Sequence, residues 1–279
     1  MPSKKHKPLV AAQIGCGKFS AAQDFPNMTA HPGVDLKWCC DLNYDAAKEK
    51  AERFGVPNVT ADFEETINDP EVDFIKIATS HEVHLPIIKA AAAAGKHVFC
   101  EKPLAMENDE ALQIIKVVKN SGIKLCVDYN RRYAPALQAL KKRFLEQWSN
   151  PLHQKWRYQE STRELLPEED QAHFTILVQD ESSSYALGHL DPLRGGGTII
   201  GESVHWLDLA CHFFSPQLPV EILAWGSRRL SHGINLKFTN GNTATIIFHT
   251  SGTFDYPKET YQITAKAALL RSLFFVENE

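Results

Sequence analysis

Gly15-Cys16-Gly17-Lys18-Phe19-Ser20 follows the apolar run Leu9–Ile14 and opens a helical stretch. Residues of these types at this spacing serve to hold a pyrophosphate. Gly15 permits a tight turn, Gly17 lets the backbone approach phosphate oxygens, and a helix start offers free N–H groups and partial positive charge. Ser20 stands where the usual pattern has a third glycine, and it is small enough for the helix to pack closely on the strand. Asp41 ends the next apolar run, 24 residues beyond Gly17. A carboxylate there accepts hydrogen bonds from the hydroxyls of an adenosine ribose. The same charge repels a 2′-phosphate, and Leu42 and Asn43 bring no cation to offset it, so the pattern favours NAD over NADP. The plainer alternative is a structural turn followed by a surface aspartate; the strand–helix–strand context argues against it.

The elements that must position these residues alternate. Strand-like runs at Leu9–Ile14, Val34–Cys40, Val72–Ala78, Lys96–Cys100 and Lys124–Val127 are separated by helical stretches. The helices are expected from Lys18 and over Asp45–Phe54, Leu85–Ala94 and Asn108–Lys119, the last with Ala111, Ile114, Ile115 and Val118 on one face. Such alternation predicts an α/β fold, a Rossmann-type parallel sheet with helices on both faces. Beyond residue 131 the pattern changes. A helix is expected over Pro135–Trp148, then a polar, irregular stretch from Glu160 to Arg194 that reads as a substrate-side excursion. Gly195-Gly196-Gly197 opens a helix to about Phe213, and strands follow at Val220–Trp225, Ile234–Phe238 and Thr243–His249. Asn240-Gly241 is a hairpin signal between the last two. The expectation is a dinucleotide-binding domain over residues 1–131. A second α/β domain over 132–279 carries a mostly antiparallel open sheet.

Composition narrows the partners. The 279-residue chain has a net charge of −4, with 43% hydrophobic and 23% charged residues. That affords a packed core but no basic excess for nucleic acid. The longest apolar run, Ala90–Ala94, is too short to span a bilayer, and the basic, polar start Met1–Lys7 reads as neither signal peptide nor anchor. Cys39, Cys40, Cys100 and Cys126 fall in runs that read as buried strands, and the six cysteines show no zinc spacing, which fits reduced thiols in a cytoplasmic protein. Glu202-x-x-His205 matches half of a carboxylate-bridged di-iron pattern but lacks the second half, and His81 and His84 do not form an HExxH pair. No metal is expected.

Further segments go beyond generic patterning: Ala78-Thr79-Ser80-His81-Glu82-Val83-His84, Gly95 to Ala105 with Glu101-Lys102-Pro103, and Asp128-Tyr129-Asn130-Arg131-Arg132-Tyr133-Ala134-Pro135. To these are added Gly195 to Asp208 and Tyr256-Pro257-Lys258-Glu259. In order, and with the glycine turn, they resemble the Gfo/Idh/MocA oxidoreductase family over about Leu9 to Glu259. The resemblance implies hydride transfer between a nicotinamide and a carbinol carbon of a sugar, inositol or related polyol. It also implies an open sheet that serves as an oligomer interface. By position, Gly15, Cys16, Gly17, Lys18 and Phe19 would line the pyrophosphate and Asp41 the ribose. Thr79, Ser80 and His84 would lie along the cofactor, and Glu101 and Lys102 near the nicotinamide and its ribose. Asn130 would face cofactor and substrate from the last Rossmann strand. The family commonly has an aspartate four residues before the active-site histidine; here Gly201 occupies that position and Glu202 stands three before His205. Family members also usually continue with another strand and helix, so the expectation for the stretch from Ala265 to Glu279 is either a different packing or a chain shortened at its C-terminus.

Oxidising an alcohol needs a base for the hydroxyl proton. His205 suits acid–base exchange near neutral pH, and Lys102 suits a polariser and proton relay. Glu202 would orient His205 or bind substrate hydroxyls, and Asp208 one turn on would orient the imidazole or bind a hydroxyl. Without the resemblance, a turn lysine before Pro103 and a core histidine on an apolar helix are the ordinary readings. Two other functions share these residues: an NAD-dependent glycosidase working by transient oxidation and elimination, and a non-catalytic NAD-binding regulator.

Overall fold

The computed structural model describes residues 7–148, 171–181, 190, 195–252, 255, 257–265 and 268–274. The chain divides into two compact units, residues 1–128 and 129–279. The first contains β1 (Leu9–Ile14), α1 (Lys18–Ala22), α2 (Asp24–Ala30), β2 (Val34–Cys40), α3 (Tyr44–Phe54), β3 (Asn58–Thr60) and α4 (Phe63–Asn68). It continues with β4 (Phe74–Ile77), α5 (His84–Ala93), β5 (His97–Cys100), α6 (Asn108–Ser121) and β6 (Leu125–Val127). The strands form one parallel sheet in the order β3-β2-β1-β4-β5-β6.

Successive side chains of a strand point to opposite faces, so a parallel sheet covered on both sides needs apolar residues at both parities. Ala12, Ile14, Ile75, Ile77, Val98 and Cys100 pack on one side with Ile87, Ile88 and Ala91 of α5 and Ile114 of α6. Ala11 and Cys39 pack on the other with Phe25 and Met28 of α2 and Ala47 and Ala51 of α3. Helix ends follow local chemistry. The Asn43 side chain accepts from Ala46 N–H at the start of α3, and Gly55 and Gly122, both left-handed, end α3 and α6. Cys126 departs from expectation: it is exposed on edge strand β6, whereas Cys39, Cys40 and Cys100 are buried.

The second unit contains α7 (Pro135–Trp148), β7 (His173–Gln179), a π-helical turn over Ile199–Ser203 that runs into α8 (Val204–Phe214), and β8 (Pro219–Gly226). β9 (His232–Phe238), β10 (Thr243–His249), β11 (Glu259–Ala265) and β12 (Ala268–Phe274) complete it. Its sheet runs β12-β11-β7-β10-β9-β8, antiparallel except where β7 pairs in parallel with β10. Alternate residues Phe174, Ile176, Val178, Ile246, Phe248 and Ile263 face a core built by Trp206, Leu209 and Phe213 of α8 and Leu137, Leu140 and Phe144 of α7. The other parity stays half-exposed, the pattern of a sheet with one open face.

One expectation is corrected here. The stretch from Glu160 to Arg194 is not wholly an excursion: β7 lies inside the sheet between β11 and β10. Its period of two was masked by polar flanks and by the polar alternate residues His173, Thr175 and Gln179. Arg163 and Arg194 lie outside the described residues. After Ala265, β12 continues the sheet, paired antiparallel with β11 along its length. Among the described residues no helix is long and apolar enough to cross a membrane.

Candidate active site

The sheet order of the first unit places β1 beside β4, with β2 and β3 on one flank and β5 and β6 on the other. Connections leave in opposite directions at that point, and open α/β sheets bind ligands there, outside the carboxyl ends of the strands. A cleft of about 410 Å³ lies at this place, lined by Ile14, Gly15, Gly17, Cys40, Asp41, Leu42, Ala61, Phe63, Ala78, Thr79, Ser80, Val83, Pro86 and Ile87. Gly15 has φ +95°, and a Cβ there would lie 2.3 Å from the Ala78 carbonyl oxygen. Glycine is therefore required for the β1 turn to pass β4. A Cβ on Gly17 would meet nothing within 4 Å, so the turn is open in front of the cleft.

Asp41 sits at the tip of β2. Its Oδ2 accepts from the Cys16 N–H at 2.8 Å and its Oδ1 from the Asn43 N–H at 2.8 Å. One hydrogen bond per oxygen leaves further lone pairs for a ribose hydroxyl. The carboxylate thus both fastens the glycine turn and faces the cleft. This donor and acceptor set, with a glycine turn and no side chain in the way, fits a dinucleotide.

Past β5, Glu101 is buried, and its Oε1 takes Lys76 Nζ at 2.6 Å. Burial pushes the Glu101 carboxyl up to about 7, against the pull of Lys76. Lys102 follows as a half-buried bend residue before Pro103. His84, the first residue of α5, is fully buried, and its Nδ1 meets the Pro103 carbonyl oxygen at 3.0 Å. Burial lowers its pKa, which keeps the ring neutral with Nδ1–H as the donor.

In the second unit the turn over Asn130–Tyr133 packs beside α8. His205 is buried on α8, edge-on to Tyr129 with ring centroids 6.3 Å apart. Arg131 lies over the Trp206 ring at 5.2 Å and donates through Nε to Glu259 Oε1 at 3.1 Å, and Tyr261 donates its hydroxyl to the same carboxylate. Burial alone would lower the Arg131 pKa, but Glu259, and at longer range Tyr261 and Glu202, raise it. Arg132 clasps both oxygens of Asp208. The π-helical turn that carries Glu202 is held by the Ser203 hydroxyl against His232 Nε2 at 2.7 Å, with His232 Nδ1 on the Leu230 carbonyl at 2.8 Å. π-helical turns inside helices recur at functional sites. At Gly201 a Cβ would stand 3.1 Å from the Gly195 carbonyl oxygen, which leaves little room there for an acid and fits the placement of the carboxylate one residue later.

Residues 10–129 match the family described as "Oxidoreductase family, NAD-binding Rossmann fold", the Gfo/Idh/MocA proteins. The match covers most of the N-terminal unit and less than half of the chain. Levoglucosan dehydrogenase of Pseudarthrobacter phenanthrenivorans is 40% identical over 111 residues, covering 40% of this chain and 28% of that protein. Myo-inositol 2-dehydrogenase of Thermotoga maritima is 34% identical over 102 residues, covering 37% of this chain and 30% of that protein. These aligned stretches thus span less than a third of either relative. Across both units the fold matches myo-inositol 2-dehydrogenase from Lactobacillus plantarum, with TM-score 0.78, 21% identity, and coverage of 95% of this chain and 76% of that one. A levoglucosan dehydrogenase in complex with NADH and levoglucosan matches with TM-score 0.77 at 22% identity, over 96% of this chain and 74% of that one.

Within the N-terminal unit, the cleft brings together Gly15, Gly17, Asp41, Thr79 and Ser80 of the sequence-predicted set. Lys18 and Phe19 are exposed on α1, and Cys16 turns its thiol inward to the Cys40 carbonyl, leaving only its backbone at the turn. His84 does not lie along the cleft wall; it supports the Lys102–Pro103 loop from beneath. Asn130 is not on the last Rossmann strand, since β6 ends at Val127 and Asn130 opens the following turn in the second unit. Arg132 holds both oxygens of Asp208, one turn past His205 on the same helix. Sequence reasoning missed Lys76, Arg131 and Glu259. A lone lysine in the buried strand Phe74-Ile75-Lys76-Ile77 was the readable signal for the first.

Proposed function

We propose that this chain is an NAD-dependent dehydrogenase that moves a hydride between the nicotinamide and a carbinol carbon of a sugar, inositol or related polyol. The observation that carries the proposal is the cleft at the strand-order switch, where Gly15, Gly17 and Asp41 converge with Thr79 and Ser80. The bound dinucleotide supplies the hydride acceptor. Gly15, Gly17 and the Cys16 backbone frame the pyrophosphate, and Asp41 accepts from the adenosine ribose. Leu42 is 91% exposed, and with Asn43 it offers no cation for a 2′-phosphate, which supports NAD over NADP.

Lys102 acts as the ammonium that polarises the substrate oxygen and relays its proton, and His205 as the acid–base group. Glu202 binds substrate hydroxyls or orients His205. Relatives that act on levoglucosan and myo-inositol support a neutral polyhydroxyl substrate. A homo-oligomer through the open sheet face, where Leu223 and Trp225 of β8 are exposed, belongs to the same reading, as does a reducing cytoplasm for six thiols without a disulfide.

Calorimetric titration with each cofactor tests the cleft. NAD⁺ is expected to bind more tightly than NADP⁺, and Asp41→Ala to narrow the gap. Equal wild-type affinities would remove the NAD preference, and no binding of either would remove the proposal.

A further inference from the structure

Lys76 occupies the middle of a parallel strand, only 1% exposed, where an uncompensated ammonium is costly. Three carboxylates surround it. Its Nζ lies 2.6 Å from Glu101 Oε1, 3.2 Å from Asp24 Oδ1 and 3.4 Å from Asp128 Oδ2, and 4.1 Å from the centre of the Phe99 ring. The carboxylate oxygens approach within 4.8 Å of one another, a spacing fit for a metal ion, but here the lysine supplies the cation.

The sheet register explains the gathering. Gln13 pairs with Lys76 and Lys76 with Phe99, so the three side chains form one row across β1, β4 and β5 on the same face. Gln13 is fully buried; its Nε2 reaches the Gly15 carbonyl oxygen at 2.9 Å and Asp24 Oδ2 at 3.4 Å, while its Oε1 has no hydrogen-bond partner among the described residues. Asp24 begins α2, and Asp128 follows β6 with its N–H on the Cys100 carbonyl at 2.9 Å. Glu101 is tied twice to β4, by its side chain to Lys76 and by its N–H to the Ile77 carbonyl at 2.9 Å. A continuous polar row therefore runs beneath the cleft from the Gly15 turn to the residue before Lys102.

We propose that Lys76 is a positioning residue, the cation of a buried cluster with Asp24, Glu101 and Asp128 that keeps one proton between Glu101 and Asp128 and so fixes the Glu101–Lys102 bend. Its consequence for catalysis rests on the reading of Lys102 given above. Three ionised carboxylates against one ammonium would leave an uncompensated excess of negative charge in a buried place. Retaining a proton on Glu101, donated as O–H to an Asp128 oxygen, removes part of that excess. On ionisation that proton leaves to solvent past Asp128, whose side chain is 25% exposed. The groups that face the cluster are Gln13 from β1, Ser20 from α1, Asp24 from α2, Phe99 and Cys100 from β5, and Asp128 after β6. Burial raises Asp24 and Glu101 alike, and Asp128 raises Glu101 further.

The test is an infrared titration of buried carboxyls in the cofactor-free full chain, across about pH 5 to 9. The expected result is a protonated-carboxyl band that disappears with a midpoint near 7 and is missing in Glu101→Gln. Lys76→Met moves that midpoint up by about 1–3 pH units, because an opposite charge has been taken away. If Lys76→Met does not fold, Asp128→Asn serves, and it moves the midpoint down. A midpoint unmoved in the folded variant, or no band in the wild type above the ordinary carboxylate range, would overturn the proposal.

Turnover separates this inference from the cofactor reading. A wild type that reduces NAD⁺ but lacks the band would remove the cluster and leave the cleft assignment standing. A wild type that keeps the band and its shift in Lys76→Met, but binds no dinucleotide, would support the cluster and remove the cleft assignment. In an active enzyme, the same upward shift in Lys76→Met is expected in the pH profile of kcat, which a purely structural lysine would leave in place.

Discussion

In the second unit Arg131 meets Glu259 and Arg132 meets Asp208, one cation to each carboxylate; in the first unit Lys76 meets Asp24, Glu101 and Asp128 together. The two arrangements solve different problems. A one-to-one pair is neutral and needs no further charge to balance it. The Arg131–Glu259 pair holds the turn that carries Arg131 over the Trp206 ring. A three-to-one cluster under a cofactor cleft is not neutral, so it settles its balance with a proton and responds near pH 7. The unit read as holding the cofactor is thus the one whose buried charge titrates. The unit read as supplying acid–base chemistry balances its supporting charges one to one, with His205 read as its acid–base group.

That division can be broken experimentally. The largest effect is expected from His205→Ala, which should cut turnover by about 10²–10⁴-fold with NAD⁺ affinity unchanged in titration. A loss of NAD⁺ binding in that variant would place His205 in the wrong half of the comparison. Next comes Arg131→Met, which leaves Glu259 buried without its cation and should cost about 3–5 kcal/mol in urea unfolding. Arg131→Met combined with Glu259→Gln should recover much of that loss, because a pair replaced as a unit leaves no orphan charge.

The first unit should behave differently. The folded-state pKa of Glu101 is above its unfolded value of 4.5, rising to about 7, so the folded protein holds the extra proton between those limits. The stability of the wild type relative to Glu101→Gln should therefore decline as pH rises from about 4.5 to about 7 and level off beyond. Denaturant midpoints measured across that range check the sign. The smallest effect is expected at Asp69. Burial alone would raise its pKa, but hydrogen bonds from Lys37, the Trp38 indole and the Glu71 N–H bring it down to about 2. Its contribution is present above the unfolded value of 3.8 and lost as pH falls toward 2, so the melting temperatures of wild type and Asp69→Asn should converge only in acid.

What could be read in the sequence follows from how local each signal is. The glycine turn, Asp41 and the strands of the parallel sheet were legible because each depends on a few neighbouring residues: an apolar run, a Gly-x-Gly and an acid at the next strand tip. The Asn240-Gly241 hairpin was legible for the same reason. β7 was not, since its three inward residues alternate with His173, Thr175, Leu177 and Gln179 and are bounded by polar sequence, and only its place between β11 and β10 makes it a core strand. His84 was placed by the resemblance and Asp208 by its position one turn past His205, and neither signal reveals the partners the fold gives them, Pro103 and Arg132. Arg131 and Glu259 lie 128 residues apart in the chain, a pairing that no spacing rule reveals. Lys76 had a signal in plain view, a charge inside a buried strand, but its meaning depends on Asp24, Glu101 and Asp128 arriving from three other elements.

The most direct test of the account follows nicotinamide absorbance after mixing the full chain and NAD⁺ with a panel of neutral polyols, inositols, sugars and aryl glycosides. The account predicts steady accumulation of reduced nicotinamide with at least one polyol or sugar, lost in His205→Ala. Release of an aglycone without accumulation, or no reaction across the panel in protein that still binds NAD⁺, would contradict it.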